Sequence, residues 1–279
     1  MSAKEARRSK RGSSAVLEFS YGGLLDDEPD TPKGRTSRDR YYYEPVFAVS
    51  ASQIGKLSGM HAQEDMQEFV HEWSEDLGPL IFITHQWTSY TAPDPTGSQL
   101  ALLQQALENA LSGNLNPDRA SNPASSLYLK QLVEALLDPR GAWIWCDIWS
   151  IPQRDPVAKT RAIYSIAAYL DFATAMICIC PPTAHAETGQ MCDFNSWARR
   201  GWCRLERLGF HLNRYRTGVY PPLYVFNSTD SLVPFAHGGM GMGSQFLSPE
   251  DSIFNDDFGC CALNHMIGGV PVVCDKIKL

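Results

Sequence analysis

AIYSIAAYLDFATAMICIC, residues 162–180, is the stretch on which the fold turns: it is apolar enough to be taken for a membrane span or for the interior of a soluble sheet. Asp171 interrupts it near the middle, where a charge in hydrocarbon is costly. Ile163, Ile166, Ala167 and Leu170 recur at helical spacing in its first half, whereas TAMICIC is rich in strand formers. The stretch therefore reads as a buried helix running into a buried strand. Asp155 followed by Pro156 supplies a cap and a first position for that helix. A strand apolar on both faces belongs to a mostly parallel sheet covered by helices on both sides.

The same grammar extends in both directions. LIFIT, residues 80–84, reads as a second buried strand, preceded by Met66, Phe69, Val70 and Trp73 at helical spacing ahead of Gly78. Leu100, Leu103, Leu107 and Ala110 mark a helix ending near Gly113, and Leu129, Leu132, Val133 and Leu136 another before Asp138-Pro139. AWIWCDIW, residues 142–149, reads as a strand with Trp143, Trp145 and Asp147 alternating onto one face, the tryptophans as core. Asn195 or Ser196 is placed to cap the helix carrying RRGWCRLERL, residues 199–208, and PLYVF at 222–226 closes the series. Around this body, 79–227, lie a tail at 1–40 whose composition predicts disorder, an extension with a helix at 41–78, and an irregular extension at 228–279. The glycine-rich HGGMGMGS at 237–244 reads as a loop and GVPVVC at 269–274 as a short strand.

A net charge of −7 argues against nucleic-acid binding by the body, because phosphate contacts need a basic face. Lys4, Arg7, Arg8, Lys10 and Arg11 crowd a start that has no apolar core, so no secretory signal is read there. None of the eight cysteines forms a C-x-x-C pair, and Cys146, Cys178 and Cys180 sit in apolar runs, which suits reduced thiols in a cytoplasmic protein. The spacing of Cys260, Cys261, His265 and Cys274 matches no common zinc pattern, and no metal is expected.

In open α/β sheets the ligand crevice lies outside the carboxyl ends of the strands. There the chain places His85, Gln86 and Trp87 after the first strand, and Asp147, Trp149, Pro152 and Gln153 around the second. Glu206, in the early turns of the RRGWCRLERL helix, has Trp202, Cys203, Gly209 and Phe210 at positions three and four away, hence no basic neighbour on its own helix face.

ITHQW, WIWCDIWSIPQ, IYSIAAY leading into AMICICPP, and RRGWCRLE occur in an order that resembles Toll/interleukin receptor (TIR) domains. The set is closer still to their fungal heterokaryon-incompatibility (HET) relatives, whose strand-plus-turn also reads Trp-Ile, acid, Ile, one residue, Gln. The resemblance covers residues 79–227 and implies a flavodoxin-like three-layer fold. It also implies that Glu206 matches the catalytic carboxylate of TIR domains that cleave NAD. His85, Gln86, Trp87, Asp147, Trp149, Gln153 and Trp202 would then line the NAD site. NAD would enter as substrate, with no further cofactor. The chain departs from the pattern in its His-Gln-Trp after the first strand, its long spacing to the second, and its extension past 227.

Two function classes stay open. One is an NAD glycohydrolase switched on by self-association in a defence or signalling pathway. The other is a non-catalytic module that assembles with its own kind or with other TIR- or HET-like domains. A nucleoside deoxyribosyltransferase-like enzyme, which also uses a glutamate, has no other motif in its favour. For Glu206 the structural alternative is a carboxylate that binds a backbone amide or a distant arginine such as Arg161. For Asp147 it is a cap on the following turn, and for His85 a satisfied histidine at the rim.

Overall fold

The computed structural model describes residues 32–35, 41–117, 125–217, 223–226, 231–234, 266–267 and 270–271. An eight-stranded sheet organises the chain. In chain order its strands are β1 (Phe47–Ser50), β2 (Val70–Glu72), β3 (Leu80–His85), β4 (Asn116–Pro117), β5 (Trp143–Trp145), β6 (Ala173–Ile179), β7 (Leu223–Phe226) and β8 (Ser231–Pro234). Across the sheet they stand in the order β2-β1-β5-β3-β6-β7-β8-β4. The four central strands, β5, β3, β6 and β7, are mutually parallel, with Ile81 opposite Ile144 and Phe82 opposite Met176. Antiparallel β1 and β8 flank them.

Helices connect the parallel strands. α1 (Ser98–Leu111) and α2 (Ser125–Leu136) lie between β3 and β5, and a single turn, α3 (Asp147–Ser150), follows β5. α4 (Pro156–Phe172) leads into β6, and α5 (Phe194–Arg199) and α6 (Gly201–Thr217) lie between β6 and β7. Strand alternation sends Ile81 and Ile83 to one face, where they pack with Ile177, Tyr224, Leu103 of α1 and Leu132 of α2. Leu80 and Phe82 go to the other, against Trp145, Met176, Tyr169 of α4 and Phe210 of α6. Phe82 stacks on Trp145 with ring centroids 4.0 Å apart.

Asp155 caps α4 as its sequence position suggests, accepting from the amides of Val157 and Ala158 with Pro156 next in line. α4 then passes directly into β6, so the apolar stretch 162–180 is helix and strand within one core. No helix among the described residues is long and apolar enough to cross a membrane.

Four local expectations are corrected. Residues 66–73 are not a helix: Gln63–Asp65 form a 3-10 turn and Val70–Glu72 pair with β1. Edge pairing satisfies that backbone, while turns still bury Met66 and Trp73. The second strand stops at Trp145. Asp147 opens α3, where the Cys146 carbonyl accepts from the amides of Trp149 and Ser150 and the Cys146 amide donates to Ser150 Oγ. Asp193, rather than Asn195 or Ser196, caps α5, in a capping box whose third residue is Ser196. That helix also ends on the first residue of the motif, Arg199, leaving α6 to start at Gly201.

Outside the 79–227 body, Gly34–Arg35 pair with Tyr41–Tyr42, and Met266–Ile267 with Val270–Pro271. The tail at 1–40, expected to be disordered, is described only at 32–35, where the pairing of Gly34–Arg35 departs from that expectation; its other residues, the 237–244 loop and the Cys260, Cys261, His265 and Cys274 set lie outside the described residues.

Candidate functional site

Numbered among themselves in chain order, the four parallel strands run 2-1-3-4. The connections leaving the carboxyl ends of β3 and β6 head in opposite directions, which opens a crevice between those two ends. The last residues of β3 divide across the sheet. Thr84 follows the face of Phe82, towards α5 and α6, and His85 follows the face of Ile83, towards α1.

On the α6 side, Thr84 Oγ1 donates to Glu206 Oε2 at 2.6 Å and accepts from Trp197 Nε1 at 3.1 Å. Among the described residues Thr84 is the one side chain hydrogen-bonded to Glu206. Glu206 is 9% exposed, beside the buried Cys203 and in the electrostatic reach of Cys178. Burial raises its pKa to about 8 against the pull of the Thr84 hydrogen bond, with the Asp147 charge pushing the same way as burial. The same dry setting raises both thiols well above their ordinary range. Every described cysteine is a buried thiol.

On the α1 side, His85 is held at both ring nitrogens: Nδ1 lies 2.8 Å from Gln99 Oε1 and Nε2 lies 2.8 Å from Asp147 Oδ1. The Gln99 amide group donates to the carbonyls of Gln86 and Pro93, which fixes its oxygen towards the ring. With acceptors at both nitrogens, the ring carries both protons. Burial alone would lower the His85 pKa, but Cys146 and Asp147 raise it well above the ordinary imidazole range. Asp147 supplies the charge at neutral pH, because burial pushes the Cys146 thiol up to about 11. The carboxylate also accepts from Trp87 Nε1 at 2.9 Å. Burial would raise the Asp147 pKa, yet His85 and Trp87 bring it down to about 2.

The ligand atoms of His85, Cys146 and Asp147 lie within 4.8 Å of one another. The imidazolium and carboxylate already account for that proximity, and each nitrogen of the ring is committed.

The structure thus gathers His85, Gln86, Trp87 and Asp147 at the rim. Gln86 is clamped, accepting from Ser196 Oγ at 2.7 Å and donating to Cys192 Sγ at 3.2 Å. Gln153 stands behind Asp147, donating to its carbonyl and to that of Ile151. Trp149 is not at the rim: it is fully buried in the α1-side core, its indole donating to Ile144 O. Trp202 packs instead into the core shared by α4 and α6. Sequence reasoning missed Thr84, Gln99, Trp197 and Arg200, whose guanidinium donates to Trp87 O. The available signals were the one polar residue in LIFIT and a tryptophan two positions before an Arg-Arg pair.

A groove of about 810 Å³ beside Ala51, Ile54 and Leu107 lies on the α1 side and includes neither Glu206 nor the His85–Asp147 pair. No family model, curated protein or solved structure matches the chain.

Proposed function

We propose that this chain is a TIR-like enzyme that hydrolyses the bond between nicotinamide and ribose in NAD, with Glu206 as its catalytic carboxylate. The observation that carries the reading is the position of Glu206: a desolvated carboxyl group with no basic hydrogen-bond partner among the described residues, beside the crevice between β3 and β6. Asp147 is paired with His85, whereas the buried Glu206 is held by a neutral hydroxyl. The 2-1-3-4 order supports assigning the sheet to the flavodoxin-like class.

The chemistry follows from that environment. The N-glycosidic bond breaks with its electron pair leaving on nicotinamide, positive charge grows on the ribose, and water adds there with release of a proton. An ionised Glu206 stabilises that charge, more strongly in a dry site than in water. In the free protein the carboxyl group is mostly protonated at neutral pH. The positively charged nicotinamide ring of NAD, set against Glu206, favours the ionised form, so binding there expels a proton. The His85–Asp147 pair and the clamped Gln86 hold the rim in shape.

A specific observation favours a second reading, a non-catalytic assembly module. His85, Gln86, Trp87 and Asp147 already satisfy one another, as a structural rim would. Nicotinamide release from NAD, followed over a range of protein concentrations, separates the two readings. An enzyme gated by self-association gains specific activity with concentration, whereas a module releases none at any concentration.

A further inference from the structure

We infer that Thr84 is a positioning residue for Glu206: pinned by the Trp197 indole, its hydroxyl proton is committed to Oε2, which leaves Oε1 as the oxygen that meets a ligand. The inference rests on reading Glu206 as the reacting carboxylate.

An indole N–H can only donate, so at 3.1 Å the Thr84 oxygen must be its acceptor. A hydroxyl carries one proton: the Cys203 thiol is also in its reach but itself donates to His85 O and is a weak acceptor, so the proton goes to Glu206 Oε2 at 2.6 Å. Thr84 is 1% exposed and Trp197 fully buried, so water does not compete for that proton. The β-branched side chain on a central strand has little rotamer freedom. Trp197 is fixed in turn, stacking on Phe194 in a helix closed by the Asp193–Ser196 capping box. The two carboxyl oxygens are therefore inequivalent: Oε2 is tied to the sheet, and Oε1 has no hydrogen bond among the described residues. A donated hydrogen bond stabilises the ionised form, so Thr84 opposes burial and keeps Glu206 able to ionise near neutral pH.

The test is a carboxyl-carbon NMR titration of the full chain labelled in glutamate. It is run on wild type, Thr84→Val and Thr84→Ser, with the pH profile of nicotinamide release measured on the same preparations. Thr84→Val is expected to raise the Glu206 midpoint by about one unit and to move the kcat/KM profile alkaline by the same amount. Thr84→Ser restores both. The wild type alone gives an independent readout, since the Trp197 indole proton should shift with the Glu206 midpoint. An unchanged midpoint in Thr84→Val, or an indole proton indifferent to that titration, overturns the inference. Midpoints that move as expected without nicotinamide release in any preparation uphold the role of Thr84 and remove the NAD reading.

Discussion

Glu206 and Asp147 are both rim carboxylates, and their surroundings drive them apart. Asp147 faces an imidazolium and an indole N–H, and Glu206 faces a hydroxyl and thiols. Because burial lifts the Glu206 pKa from 4.5 to about 8, the folded state binds its proton more tightly than the unfolded state does. Its contribution to stability is complete below pH 4.5 and is lost as the pH rises through about 8. Glu206→Gln removes that loss, so the melting temperature of the variant relative to wild type should climb between those limits in paired thermal scans. A Glu206 that held the fold through an ion pair would give the opposite trend. The kcat/KM of the wild type should likewise rise towards about pH 8 as the carboxylate forms. The His85–Asp147 pair combines both signs. Its histidine part is full below pH 6.5 and fades as the pH rises towards the elevated folded value, and its carboxylate part fades as the pH falls from 3.8 towards about 2. A third of the Asp147 side chain is exposed, which screens the pair. Asp147→Asn should still cost about 1.5–3 kcal/mol near pH 5 by denaturant unfolding, and less above pH 6.5. The burial of Glu206 was legible from its apolar helix neighbours. Its partners were not, because Thr84 and Trp197 lie 122 and 113 residues from the groups they bond.

Elements with a long apolar period were legible as such: β3, α1, α2, α4 and β6 fall where the spacing of leucine, isoleucine and alanine puts them. Of the short elements, β7 was legible as PLYVF, but others were not. Met66, Phe69, Val70 and Trp73 satisfy a helical template, yet a turn followed by an edge strand buries Met66 and Trp73 equally well. The change from strand to helical turn between Trp145 and Asp147 occupies too few residues for any periodicity to register. The entry to β3 carries a sharper constraint. Gly78 has φ 119° and ψ −177°, a region open essentially to glycine, and a Cβ there would collide with the carbonyl oxygen of Gly141 ahead of β5. Gly78→Ala should therefore cost more than about 2 kcal/mol in equilibrium unfolding; a loss below half that would mean the two strand entries are not so tightly apposed. Asp193→Ala, which opens the α5 capping box, should cost about 1 kcal/mol by the same measurement.

Across the molecule, two cores on opposite faces of one sheet hold two polar constellations at one rim, and strand alternation at Thr84 and His85 separates them. Four motifs singled out in the sequence fall in chain order along this layout: ITHQW ends β3, WIWCD ends β5, AMICICPP ends β6, and RRGWCRLE leads into α6. The mostly parallel sheet was legible because β3 and β6 are apolar on both faces. The outer strands β1, β2, β4 and β8 were not read. The central proposal is that one desolvated carboxylate serves this rim as a catalyst, and the most direct measurement is nicotinamide release from NAD by wild type and Glu206→Gln at matched, high protein concentration. Turnover should be measurable in the wild type and fall about 10²-fold or more in a variant that keeps its fold; a folded Glu206→Gln protein that hydrolyses NAD as fast as the wild type would contradict it.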